Sequence, residues 1–305
     1  MKIFSYELNS KAILGLQTGG KNYCLTGLLR AYYFQSGKIL PGEIDLVSLL
    51  GAELLDLKVL AAAVKWAGDK KILGRYLLKD NLKFLLPIKP GKIIALGRNF
   101  AEHAKEQGAP VPAEPIIFEK ANSSVIGPGQ PVRYPFFMKK EYGKEARVDH
   151  EVELAIVIGK TASKVKARAA MEYVFGYTIL NDMTARNIQA QDFKKNQPWF
   201  RSKSIDTFCP LGPWIVTKDE VRNANNLKLE LRVNGVVKQK DSTGTFIFKI
   251  PEMLEYITKY LTLFPGDIIS TGTPDGIRPV NPGDIMEAEI EGIGILRNRI
   301  VKERL

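Results

Sequence analysis

Two glutamates two residues apart, Glu151 and Glu153 in DHEVELAIVIGK, sit at the start of a run that is apolar and β-branched from Val152 to Ile158. In a strand, such side chains share a face. The two carboxylates would then stand side by side against a hydrophobic core, repelling each other and losing hydration. Further along, GYTILNDMTARNIQ is a second apolar strand ending at Asp182, with Arg186 four residues beyond it. If the two strands adjoin, three carboxylates meet. Three hard oxygen donors without Cys or His suit Mg²⁺, Mn²⁺ or Ca²⁺ rather than zinc, and such an ion offsets the repulsion. On spacing alone, the competing reading is a solvated acidic strand face.

The chain has two histidines. His103 lies in LGRNFAEHAKEQ, where Asn99 is placed to cap a helix with Glu102 three residues on. On that helix His103 and Glu106 share a face. A carboxylate beside an imidazole fixes its tautomer and raises its basicity, which makes a general base; the alternative is an incidental surface pair. His150, flanked by Asp149 and Glu151, alternates to the opposite face and reads as structural. In QPWFRSKSIDTFCPLGPW, Arg201 and Lys203 stand among aromatics and prolines, where cations suit a substrate carboxylate or developing enolate charge. Cys209 in the same stretch reads as packing rather than as a nucleophile.

The elements that must position these residues are mostly strands. KIIALG, EPIIFEK, ELAIVIG, YTILND, GPWIVT, LKLELRVNG, GDIIST and DIMEAEIEGIG are β-branched runs bounded by turn signals. Helical stretches are fewer, around Phe100–Gln107, Lys166–Phe175 and Pro251–Leu261. That balance argues against a doubly wound sheet and for a β-rich α+β architecture. Ahead of it, AILGLQTGGKNYCL reads as two strands around Gly19-Gly20, and VSLLGAELLDLKVLAAAVKWAG as a helical stretch. The prolines of LLPIKPGK then mark a boundary, dividing the chain into a small N-terminal domain, residues 1–88, and a larger domain, residues 89–305, that holds the candidate catalytic residues.

With 305 residues, 45% of them hydrophobic and 25% charged, the composition is that of a soluble globular protein. No signal peptide is evident, and the longest apolar stretch is interrupted by Glu53, Asp56 and Lys58, which argues against a membrane span. Two cysteines make no disulfide framework, so a cytoplasmic, reduced protein is expected. The net charge of +11 raises the question of nucleic acid, but the basic residues are scattered and no nucleic-acid motif is present.

GRNFAEHAKE, VDHEVELAIVIGK, GYTILNDMTARNIQ, RSKSIDTFCPLGPWIVT, LRVNG and PGDIISTGTPDGI together resemble the successive motifs of the fumarylacetoacetate hydrolase family, in order from about Lys92 to Ile300. The resemblance implies a mixed β-sheet rolled on itself, a homodimer, and one divalent metal, commonly Mg²⁺, with Mn²⁺ or Ca²⁺ as substitutes. It implies Glu151, Glu153 and Asp182 as metal ligands, Lys203 as the active-site lysine, and Arg186 as the arginine that follows the ligand aspartate. His103 and Glu106 match a catalytic dyad on a mobile lid, and Thr273 a threonine near the substrate carboxylate. The sequence departs from the pattern at Arg278, where a glycine often stands, and at Thr245, where many members carry Asp. The implied substrates are 2-oxo acids. Hydrolysis of the C–C bond of an acylpyruvate comes first, oxaloacetate decarboxylation second, and isomerisation or hydration of dienoic 2-oxo acids third. A basic, non-enzymatic protein on the same fold is the reading from a different class; it predicts salt-sensitive nucleic-acid binding without metal dependence.

Overall fold

In the computed structural model, which describes residues 1–303, the strand that begins just after Glu151 and contains Glu153 runs over Val152–Ile158 and is buried throughout. It pairs antiparallel with Val174–Asn181 on one side and with Ile268–Ser270 on the other. Ile268–Ser270 runs parallel to Ile93–Gly97, which pairs antiparallel with Ile116–Lys120, so the sheet is mixed. A second sheet of five strands, from Val236–Ser242 at one edge to Val132–Tyr134 at the other, packs against it.

A strand covered on both faces cannot alternate polar with apolar. Here its alternation divides two cores instead. Val152, Leu154, Ile156 and Ile158 enter the larger core, which includes Leu229, Leu231, Met286 and Ala288 of the second sheet. Ala155 and Val157, in step with Glu153, enter another core built with Leu25, Leu28, Leu46, Leu49 and Leu60 from the N-terminal helices. The N-terminal segment also joins the main sheet directly. Lys2–Leu8 pairs with Cys209–Thr217, Ile3 opposite Ile215, and carries the hairpin Lys11–Thr18/Lys21–Cys24, which turns at Gly19 and Gly20, both at positive φ.

Three local expectations change. The stretch read as one N-terminal helical region forms two helices, Leu46–Gly51 and Leu57–Asp69. Asp45 and Asp56 each accept a hydrogen bond from a first-turn N–H, so each starts its own helix, and Glu53 at φ 55° breaks the path between them. The stretch Lys166–Phe175 contains only a 3₁₀ turn, Ala167–Glu172. The helix at the site runs over Ala101–Glu106 and is capped by Phe100 without a side-chain hydrogen bond. Asn99 is committed elsewhere: it donates to the carbonyls of Phe248 and Thr271 and accepts from the Phe248 N–H. The helix Ile250–Tyr260 forms as the pattern suggests. Among the described residues, no helix is long and apolar enough to cross a membrane.

Candidate active site

Sheet register brings the three carboxylates together. Val152 lies opposite Asn181, and the Asp182 N–H donates to the Glu151 carbonyl at 2.8 Å, so the ends of the two strands abut. The Asn181 side chain accepts from the Glu151 N–H and pins the entry to the strand. Glu153 is held from the other neighbour, accepting from the Ser270 hydroxyl at 2.5 Å and the Gly272 N–H at 2.9 Å. One carboxylate oxygen from each of Glu151, Glu153 and Asp182 lies within 4.8 Å of the others, and all three side chains are buried.

Cations surround this cluster. The Lys203 ammonium, buried, donates to Glu151 at 2.6 Å and to Asp182 at 2.5 Å. Arg186 bonds Glu151 and, at 2.8 Å, Asp149. Lys120, which the sequence offered only as the end of a strand, is fully buried; it donates to Asp182 at 2.6 Å and also bonds the Lys203 carbonyl. Burial alone would raise the Glu151 carboxyl, but the charges of Lys203 and Arg186 outweigh it and bring it well below the usual range. Among the described residues Glu153 has no ion-pair partner, and the more distant Lys203 charge offsets its burial only in part. Burial first, then the Asp182 and Glu151 charges, push it up to about 8. Three buried carboxylates that cannot all ionise comfortably beside one another form a donor set that fits a hard divalent cation. Glu151, Glu153 and Asp182 would hold it.

The helix Ala101–Glu106 lays His103 over this cluster. The imidazole is buried, its Nε2 lies 3.0 Å from the Gln107 amide nitrogen, and its Nδ1 lies 3.5 Å from Glu106. Glu106 also accepts from Arg278 at 2.9 Å and from the Gly276 N–H. Burial would raise the Glu106 carboxyl, but these hydrogen bonds and the His103 charge take it down to about 2. Thr273 donates to the Val152 carbonyl and accepts from Gln239. His150 is buried, its Nδ1 2.9 Å from the side-chain oxygen of the same Gln239. Arg201 is turned outward onto Asp192, away from the cluster, contrary to a substrate-binding role. Cys209 is packed in the core, its thiol pushed up to about 12 by burial.

His103, Glu151, Glu153, Arg186, Lys203 and Thr273 line one small chamber, about 20 Å³, room for a water or an ion. Arg98, Gln107, Arg186 and Gln189 line both it and a larger outer cavity of about 760 Å³, where Glu106 and Arg278 also lie. The fumarylacetoacetate (FAA) hydrolase C-terminal family model matches residues 92–301, from the strand Ile93–Gly97 to the final strand. The chain belongs to the fumarylacetoacetate hydrolase family. The mitochondrial oxaloacetate tautomerase FAHD2A of Homo sapiens is 41% identical over 231 residues, 73% of this chain and 71% of that protein. A fumarylacetoacetate hydrolase from psychrophilic Exiguobacterium antarcticum superposes with a TM-score of 0.80 at 31% identity, covering 99% of this chain and 100% of that one. A maleylpyruvate hydrolase from Sphingobium sp. SYK-6, solved with manganese(II) and pyruvate, superposes at 0.77 with 30% identity and full coverage of both chains. The mixed sheets and β-rich α+β architecture are those of this enzyme family, whose members include hydrolases, isomerases and tautomerases.

Proposed function

We propose that the chain is a divalent-metal-dependent enzyme of 2-oxo (β-diketo) acids that hydrolyses the C–C bond of an acylpyruvate such as fumarylpyruvate or acetylpyruvate. One observation carries this reading: the buried His103 imidazole, backed by Glu106, lines the same chamber as Glu151, Glu153 and Lys203. Glu151, Glu153 and Asp182 are the proposed ligands of Mg²⁺ or Mn²⁺. When bound, the cation supplies Lewis-acid stabilisation of negative charge developing on the substrate's oxygens.

The chain's own groups account for the proton transfers. Arg98 donates to the Gln107 amide oxygen, so the Gln107 amide N–H faces His103 Nε2, which must accept. The proton of the neutral ring is therefore on Nδ1, toward Glu106. Nε2 is the basic position. It takes a proton from the water that adds to the distal carbonyl, and Glu106 stabilises the imidazolium formed. The C–C bond then breaks with its electron pair passing to the pyruvyl fragment as an enolate, and His103 returns the proton to that carbon. Lys203 and Arg186, held protonated by their carboxylate neighbours despite burial, supply fixed positive charge while the enolate forms.

The 41% identity to an oxaloacetate tautomerase favours a second reading: keto–enol interconversion or decarboxylation of oxaloacetate, which needs the same charge stabilisation but no attacking water. Assays of the purified protein with Mg²⁺ or Mn²⁺ against acetylpyruvate, fumarylpyruvate and oxaloacetate separate the two. Turnover of an acylpyruvate, lost in His103→Ala, supports hydrolysis; turnover of oxaloacetate alone refutes it. The proposal includes a homodimer in the cytoplasm, with no nucleic-acid or membrane partner, which sedimentation and a salt-dependent nucleic-acid binding assay check.

A further inference from the structure

Four arginines, Arg98, Arg147, Arg186 and Arg278, line the outer cavity that adjoins the small chamber. Three of them are paired with acids: Arg147 and Arg186 with Asp149, and Arg278 with Glu106. Among the described residues, Arg98 has no carboxylate within ion-pair distance, and its guanidinium donates only to the Gln107 amide oxygen, at 3.2 Å. An arginine left without an acid in a half-buried cleft retains unused donors and an uncompensated charge.

The position is also built rather than incidental. Arg98 carries φ 56° on a non-glycine residue, a backbone state that costs free energy and persists where surroundings impose it. Its guanidinium carbon lies 5.6 Å from the Phe193 ring centre and 5.7 Å from that of Trp199, and those two rings pack edge-on against each other. Cation–π contacts of this kind hold the guanidinium near the rings without using its N–H donors. Arg98 lines the small chamber and the outer cavity together, so it stands where the far end of a molecule gripped by the carboxylate cluster would pass.

We infer that Arg98 is the recognition group for a second carboxylate at the far end of the substrate, so that the preferred substrates are 2-oxo dicarboxylates rather than 2-oxo monocarboxylates. This rests on reading the inner chamber as a 2-oxo acid site. It also separates the two acylpyruvates named above: fumarylpyruvate has the second carboxylate and acetylpyruvate lacks it. The hydrogen bond from Arg98 to Gln107, which in turn touches His103, gives the distal carboxylate a route to the base. A carboxylate that draws the Arg98 fork away from Gln107 frees the amide that covers His103 Nε2.

The test is calorimetric binding, in the presence of Mn²⁺, of 2-oxoglutarate and of 2-oxopentanoate, which share the 2-oxo acid head and chain length but differ in the distal carboxylate. The wild type is expected to bind 2-oxoglutarate about tenfold to a hundredfold more tightly, the range of a charge-assisted pair. In Arg98→Met that ratio should collapse to within about threefold. Arg98→Lys, with a single-point charge in place of the fork, should fall between; if the methionine variant does not fold, the lysine variant carries the test by its reduced ratio. Equal affinities in the wild type, or a preference that survives in every Arg98 variant that folds, overturn the inference. Binding of neither acid by protein that still binds Mn²⁺ refutes the 2-oxo acid reading and this inference with it.

Discussion

Lys120 is the residue at the site that its own stretch of sequence conceals. It ends EPIIFEK as an ordinary strand-terminal lysine, with nothing nearby to mark it as buried. Its role depends on a pairing 62 positions away, with Asp182, and on the Lys203 carbonyl. Glu151, Glu153 and Asp182 were legible because carboxylates at the ends of apolar strands have a cost that something must offset; a lysine at a strand end has none. Replacing Lys120 with Met leaves Asp182 buried with Lys203 as its remaining cation, so urea denaturation should show a loss below the roughly 3–5 kcal/mol of a buried charge left wholly unpaired. For the proposed metal ligands, Glu151→Gln or Asp182→Asn should weaken Mn²⁺ binding by more than the roughly 10–100-fold typical of an outer-shell partner, read by titration of the ion alone. A Mn²⁺ affinity unchanged in both variants would remove the metal assignment. Glu106 gives the pH dependence. Its carboxyl falls to about 2 in the folded chain, from an ordinary value of 4.5. A carboxyl depressed by folding stabilises the native state fully above its unfolded value and loses that contribution as pH falls through the folded one. The stability gap between wild type and Glu106→Gln should therefore be constant near neutrality and close between about pH 4.5 and 2, in chemical denaturation at each pH.

At the scale of elements, the helix Ala101–Glu106, which carries His103, has little to hold it by itself. Six residues without a side-chain cap make a helix that is marginal alone, so its position depends on tertiary anchors. Those anchors are the hydrogen bonds that Glu106 accepts from Arg278 and Gly276 and the backbone bond from Ile247 N–H to the Asn99 carbonyl just before it. Asn99 illustrates why local reading fell short here. Its side chain suits a helix cap equally well, and only the fold shows that it joins the segments at Phe248 and Thr271 instead. Arg278, marked in the sequence as a departure in the TPDGIRP turn, is an ionic anchor of this helix through Glu106. Arg278→Ala should speed amide exchange over residues 101–108 while leaving the strand Val152–Ile158 protected, because that strand's bonds do not involve the helix. Activity should fall together with that protection. Unchanged exchange in the helix would show that Gly276 and the Asn99 junction suffice to hold it.

Across the whole molecule, the strands announced themselves and their partners did not. Alternation and turn signals located most of the main-sheet strands, but the pairing of Ile3 with Ile215 spans more than two-thirds of the chain and leaves no local trace. The N-terminal residues therefore read as a self-contained module. In the fold their helices cover one face of the sheet that carries the site: Leu25, Leu28, Leu49 and Leu60 share a core with Ala155, Val157, Leu180, Leu211 and Ile268. Val157 and Ala155 continue the strand that contains Glu153 and begins just after Glu151, so covering them keeps the strand of the carboxylate cluster straight and dry. Removing residues 1–88 exposes this apolar face and also strips Cys209–Thr217 of a strand partner, leaving an open hydrophobic edge. The 89–305 fragment should bind a hydrophobic dye, aggregate at concentrations where the full chain does not, and bind Mn²⁺ more weakly even in its soluble fraction. Adding residues 1–88 in trans should reverse all three effects if the two pieces re-form the shared core. A fragment that stays monomeric, excludes the dye and binds Mn²⁺ as the full chain does would show instead that the sheet holds the site without that cover.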